Sequence, residues 1–143
     1  MSSQHLKVVL DTNALLRTLS RNSINKHVLD KLFNEQFDLF VTTEILLEYE
    51  EKISQIFNVH TAELIMGALS LLSNVFKTTI FYNLHLISVD KDDNKFVDCA
   101  FAANANFLVT DDKHYKILKS VTFPKINILS LAEFSKLLEI NNS

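Results

Sequence analysis

Short apolar runs alternate along this chain with longer stretches of helical spacing. LKVVL (6–10), FDLFV (37–41), HLISV (85–89) and NFLVT (106–110) are the kind of nearly continuous apolar run that fills a parallel sheet covered on both faces. ALLRTLS (14–20), SINKHVLDKLFNEQ (23–36) and TTEILLEYEEKISQIF (42–57) lie between the first strands with helical period, the last opening on a capping Thr. Residues 61–76 are apolar around more than one face, which predicts a helix either deeply buried or shared with a partner. A helix over 94–104 precedes the fourth strand. KINIL (125–129) reads as an edge strand, and SLAEFSKLLEI (130–140) as a final helix with Ser130 and Glu133 forming a capping box.

Strands separated by helix-length connections imply parallel pairing, since each crossover must return the chain to the same end of the sheet. The expected class is α/β: a three-layer α/β/α arrangement around a central, mainly parallel sheet of four to five strands. The 143 residues fit one domain spanning 1–143, with no repeat or low-complexity linker. Sites in such folds form beyond the carboxyl ends of the strands.

Acids concentrate at that edge. Asp11 follows the first strand, Glu48 lies in the helix after the second, Asp93 follows the third and Asp112 the fourth. Asp93 alone reads as a helix cap, Asp11 alone as a turn residue, and Glu48 alone as a solvated helix position. Carboxylates that converge repel one another, so such a group persists only with a compensating cation or a shared proton. Oxygen donors select Mg²⁺ or Mn²⁺. One cysteine and five scattered histidines argue against a zinc cluster, and His114 reads as a surface residue. An acid-rimmed Mg²⁺ or Mn²⁺ site suits hydrolysis of a phosphodiester.

The bulk numbers narrow the alternatives. A net charge of −3 argues against holding nucleic acid on a broad basic surface, so phosphate contacts must be local or cation-assisted. A single glycine excludes phosphate-cradling glycine loops. No apolar run reaches membrane-spanning length, and MSSQHLKVVL lacks the features of a signal peptide, so the expected compartment is the cytoplasm.

VLDTNALL at the first strand, TTEILLEY after the second, DDNKFVDCA before a helix and LVTDD at the fourth together resemble the PIN-domain family. The resemblance covers nearly the whole chain. Within the family these motifs look most like those of the small prokaryotic toxins of toxin–antitoxin pairs. It implies a metal-dependent endoribonuclease in which Asp11, Glu48, Asp93 and Asp112 hold Mg²⁺ or Mn²⁺, with RNA as substrate and an antitoxin protein as partner; the apolar helix at 61–76 separately makes a homodimer a candidate assembly. Asn13, Thr43 and Thr110 could orient ligands or water, and Asp98 falls where similar sequences often carry an acid. Arg17, Lys95 and Lys113 flank the motifs and are candidates for RNA phosphate contacts.

Similar sequences often carry glycine or another non-acidic residue where Asp111 stands. Alternation along a strand turns Thr110 and Asp112 one way and Asp111 the other, so Asp112 is expected to face the metal. Three rival readings share parts of this pattern. An RNA-processing PIN nuclease outside any toxin system would carry the same acids, and an inactive PIN-like module would bind a partner without cutting. An aspartyl phosphotransferase would want a second Asp where Asn13 stands.

Overall fold

The computed structural model describes residues 5–20, 25–87 and 91–141. Strand β1 (Lys7–Leu10) leads through helices α1 (Thr12–Leu19) and α2 (Lys26–Phe33) to β2 (Asp38–Val41). Helices α3 (Thr43–Ile56) and α4 (Val59–Leu71) return the chain to β3 (Val75–Lys77). A 3₁₀ turn (Lys91–Asp93) and α5 (Asn94–Ala102) precede β4 (Phe107–Val109). A 3₁₀ segment (Lys113–Ser120), β5 (Ile128–Leu129) and α6 (Leu131–Asn141) complete it.

The five strands pair in parallel in the order β3-β2-β1-β4-β5, with helices on both faces. This is the three-layer α/β/α class expected from the hydrophobic pattern. β1 is the central strand, which explains its composition: Val8, Val9 and Leu10 meet side chains on both sides and none is more than 1% exposed. Val8 pairs in register with Leu39 on one flank and Phe107 on the other, so one strand fixes the positions of both neighbours. α5 packs on β1, β2 and β4, while Phe37 and Phe134 meet edge to face at 5.1 Å and bind α6 into the core.

Helix starts follow side-chain oxygens. Asp11 accepts from Ala14 N at 2.8 Å, Thr42 from Ile45 N at 3.1 Å and Asn58 from Thr61 N at 2.7 Å. The Ser130–Glu133 capping box forms reciprocally, at 3.1 and 2.9 Å. With its one glycine in α4, the chain ends α2 and α5 on Glu35 and Asn104, at φ 59° and 51°.

Two elements differ from expectation. The helix expected over 61–76 ends at Leu71, and the strand beside β2 forms at Val75–Lys77 rather than at 85–89. Asn74 explains the first difference. Buried, its side-chain amide donates to the carbonyls of Leu32 at 3.0 Å and Phe37 at 2.6 Å, while its backbone carbonyl accepts from Leu39 N at 2.9 Å. These bonds draw the chain into the sheet, where Phe76 stacks on Phe40.

Asn94 explains the second difference. It accepts from Ile87 N and donates to Ile87 O, both at 2.8 Å, and Asp98 accepts from Leu84 N at 3.0 Å. Side chains of α5 therefore occupy backbone groups that a sheet ladder would need. Residues 85–87 lie outside the sheet, with Ile87 still buried in the core; residues 88 and 89 fall outside the described residues. Of the two alternatives for α4, deep burial or sharing with a partner, deep burial is not met: Ala62 and Leu69 face inward, whereas Leu64 and Leu71 are exposed. Among the described residues no helix is long and apolar enough to cross a membrane.

Asn94→Ala should cost about 2 kcal/mol of stability, because it leaves a buried N–H and C=O of Ile87 without partners. Chemical denaturation measures the loss. Amide exchange at Ile87 should accelerate in the same variant while amides of β1 follow only the global change.

Candidate metal centre

The end of β1 turns directly into α1, and Asp11 stands at that joint. One carboxylate oxygen caps α1 through Ala14 N and the other accepts the Thr110 hydroxyl from the end of β4. The Thr110 oxygen in turn accepts from Asp112 N at 3.0 Å, so one hydroxyl ties the carboxylate of β1 to the backbone after β4. Asp112 caps the 3₁₀ segment through His114 N at 2.9 Å. Asp93 ends the turn before α5, where its carbonyl accepts the Tyr115 hydroxyl at 3.3 Å.

Glu48 reaches the same place from α3. Its residue neighbour Tyr49 is fully buried and donates to Leu10 O at 2.6 Å, which holds α3 against the end of β1. The Glu48 carboxylate accepts the Thr12 hydroxyl and pairs with Lys95 Nζ at 2.7 Å. Asp11, Glu48, Asp93 and Asp112 thus line one cleft of about 230 Å³, together with Thr12, Asn13, Lys52, Asp92 and Phe96. Among the described residues, its lining includes five carboxylates and one lysine.

The cost of that arrangement is visible at Asp11. Burial pushes its pKa from 3.8 up to about 6, against the hydrogen bonds from Thr110 and Ala14, and the charges of Asp112 and Asp93 add to the rise. A divalent cation among these oxygens would relieve both the desolvation and the repulsion. The donor set fits Mg²⁺ or Mn²⁺, hard ions that take carboxylate oxygens.

The other expected residues separate into distinct places. Thr110 supports Asp11 and Asp112 from below the cleft. Thr43, Lys95 and Asp98 line a neighbouring pocket of about 280 Å³ with Lys77, Thr78 and Asn83. Asp98 is buried there on the Leu84 amide, and burial raises its pKa above 3.8. Lys95 is only 9% exposed and spends its ammonium on Glu48, while Arg17 pairs with Asp111. Lys113 is exposed. Asp111 points away from the cleft: its other oxygen accepts from Leu131 N at 3.2 Å and caps α6.

Thr12, Lys52, Phe96, Tyr115 and His114 line or brace the site without having been expected there. Thr12 carries no signal beyond its place at the start of α1. His114 lies 3.3 Å from Asp93 and 3.4 Å from Asp112; its signal was its position two residues after an acid at a strand end.

A family model described as PIN domain matches residues 7–114, which include all four acids. The chain belongs to the PIN-domain family. Over 149 aligned positions this PIN domain is 28% identical to an uncharacterised protein of Methanocaldococcus jannaschii, covering 99% of this chain and 85% of that one. It superposes on a chain of VapBC2 from Rickettsia felis bound to a DNA fragment from their promoter, with TM-score 0.62 and 18% identity, over 87% of this chain and 98% of the other. DNA-bound VapBC from Salmonella typhimurium gives TM-score 0.56 at 16% identity, over 88% and 98% of the respective chains. At those identities the likeness establishes the fold.

The raised pKa of Asp11 fixes the sign of a stability effect. The folded state holds this proton more tightly than the unfolded chain, so the contribution to stability is full below 3.8 and is lost as pH rises through about 6. Asp11→Asn keeps an oxygen for the α1 cap and removes the charge. In chelator above neutral pH it should melt higher than wild type, and the fall in stability across this pH window should flatten. Thermal melts at several pH values check both; a lower melting temperature would mark Asp11 as a cap alone.

Proposed function

We propose that this PIN-domain protein is a Mg²⁺- or Mn²⁺-dependent endoribonuclease that hydrolyses RNA phosphodiester bonds. The observation that carries the reading is the convergence of Asp11, Glu48, Asp93 and Asp112 on one cleft at the carboxyl edge of β1 and β4, in a PIN-domain chain. Asp11, Asp93 and Asp112 would hold the cation, with Glu48 completing the set. Bound Mg²⁺ or Mn²⁺ supplies Lewis-acid stabilisation of the charge that develops on the phosphodiester.

The protein's own groups do the positioning. Thr110 fixes the direction of the Asp11 carboxylate, and Thr12 with Lys95 fixes that of Glu48. Asn13 and Lys52 line the cleft, where an amide and an ammonium could meet a sugar or phosphate oxygen. The net charge of −3 leaves RNA affinity dependent on the cation and on such local contacts.

The motif resemblance and the fold shared with the VapBC chains support a further assignment, as the toxin of a toxin–antitoxin pair with an antitoxin protein as partner. The exposed Leu64 and Leu71 of α4 support a protein-binding or self-association role for that helix.

Cleavage of a panel of single-stranded RNAs with Mn²⁺, Mg²⁺ or chelator tests the activity. Asp112→Asn should lower the rate by at least about a hundredfold, as expected when a group that positions charge in the transition state is lost. Asp111→Asn should change it little, because Asp111 serves Arg17 and α6. Metal-independent cleavage, or equal losses from both variants, would overturn the assignment.

A further inference from the structure

We infer that His114 is a nitrogen ligand of the cation held by Asp93 and Asp112, and that it biases this PIN-domain site toward Mn²⁺ over Mg²⁺. The inference rests on the metal-dependent reading above and deepens it.

The geometry starts with the backbone. His114 N donates to Asp112 Oδ1 at 2.9 Å, and the ring folds back over the same carboxylate. Its Nδ1 lies 3.4 Å from Asp112 Oδ1 and 3.3 Å from Asp93 Oδ2. One donor atom from each of the three residues lies within 4.8 Å of the others. The spacing is imposed by a buried clamp. Tyr115, 1% exposed, donates its hydroxyl to Asp93 O at 3.3 Å, which holds the turn before α5 against the segment after β4.

The ring lies between the two carboxylates, with Nδ1 in hydrogen-bonding range of Asp93 Oδ2 and close to Asp112 Oδ1. The two contacts are nearly equal. Neighbouring donors around an octahedral ion with bonds of about 2.1 Å stand about 3 Å apart, close to the spacing of Nδ1 from each oxygen. Carboxylates suit Mg²⁺ and Mn²⁺ alike, whereas an imidazole nitrogen adds more for a first-row transition ion than for Mg²⁺.

The test uses the full chain, with Mn²⁺ and Mg²⁺ as probes, on wild type, His114→Ala and His114→Gln. Electron spin-echo envelope modulation of bound Mn²⁺ should show a directly coordinated ¹⁴N in wild type and none in either variant. Calorimetry should give roughly tenfold or greater weakening of Mn²⁺ binding in the variants with a smaller change for Mg²⁺. The Gln variant keeps most of the side-chain volume, so it guards against loss of folding in the Ala variant. Wild type that binds Mn²⁺ without nitrogen coupling would overturn the ligand role, and variants that weaken both ions equally would overturn the bias toward Mn²⁺; either leaves the metal reading intact. Wild type that binds neither ion would overturn the metal reading itself.

Discussion

Asp11 is held at every polar atom by the surrounding fold, and the rest of the site is arranged around that constraint. Its backbone N–H donates to Val109 O at 3.1 Å, joining the ends of β1 and β4, and its carbonyl accepts from Leu15 N at 3.1 Å inside α1. Its carboxylate oxygens go to the α1 cap and to Thr110. A side chain so placed is 4% exposed, and burial of a carboxylate is what raises its pKa. The molecule therefore carries a destabilised group at the centre of its sheet edge. That cost exceeds what the α1 cap requires, because an exposed Ser or Asn would satisfy α1 without it.

The acids around Asp11 are not equivalent, and basic groups sort them. Lys95 answers Glu48, and Arg17 answers Asp111 on the far side of the strand end. Asp93 and Asp112 share a histidine. A cation entering the cleft thus meets Glu48 already held by Lys95 and Thr12, and Asp93 and Asp112 spaced by Tyr115. Were a cation to bind here, carboxylates already fixed in place would lower the ordering cost of binding, which is the usual advantage of a supported site.

Much of this was legible in the sequence because it rests on period and position. Buried runs gave β1, β2 and β4, and strand ends gave Asp11 and Asp112. The two-residue alternation separated Asp112 from Asp111 at a junction where composition could not. What could not be read depends on contacts distant in the chain. HLISV has the composition of a strand, but Asn94 claims both backbone groups of Ile87, and an apolar run packs into a core equally well without a ladder. The end of α4 was hidden for the same reason: Asn74 acts through Leu32 and Phe37, some forty positions earlier. Lys95 looked like a phosphate contact because its partner, Glu48, lies on another helix.

The last third of the sheet edge shows how far the support of a small site extends. Asp112 is one residue from Asp111, and Asp111 is tied on one oxygen to Arg17 of α1 and on the other to the first amide of α6. α6 is anchored in turn by Leu131 and Phe134, both fully buried, with Phe134 against Phe37 just before β2. The backbone that presents Asp112 is therefore held from α1 and from α6. A carboxylate on a free loop would retreat from its neighbours' charge. One pinned by a helix on each side cannot, and the repulsion stays available for a cation to relieve.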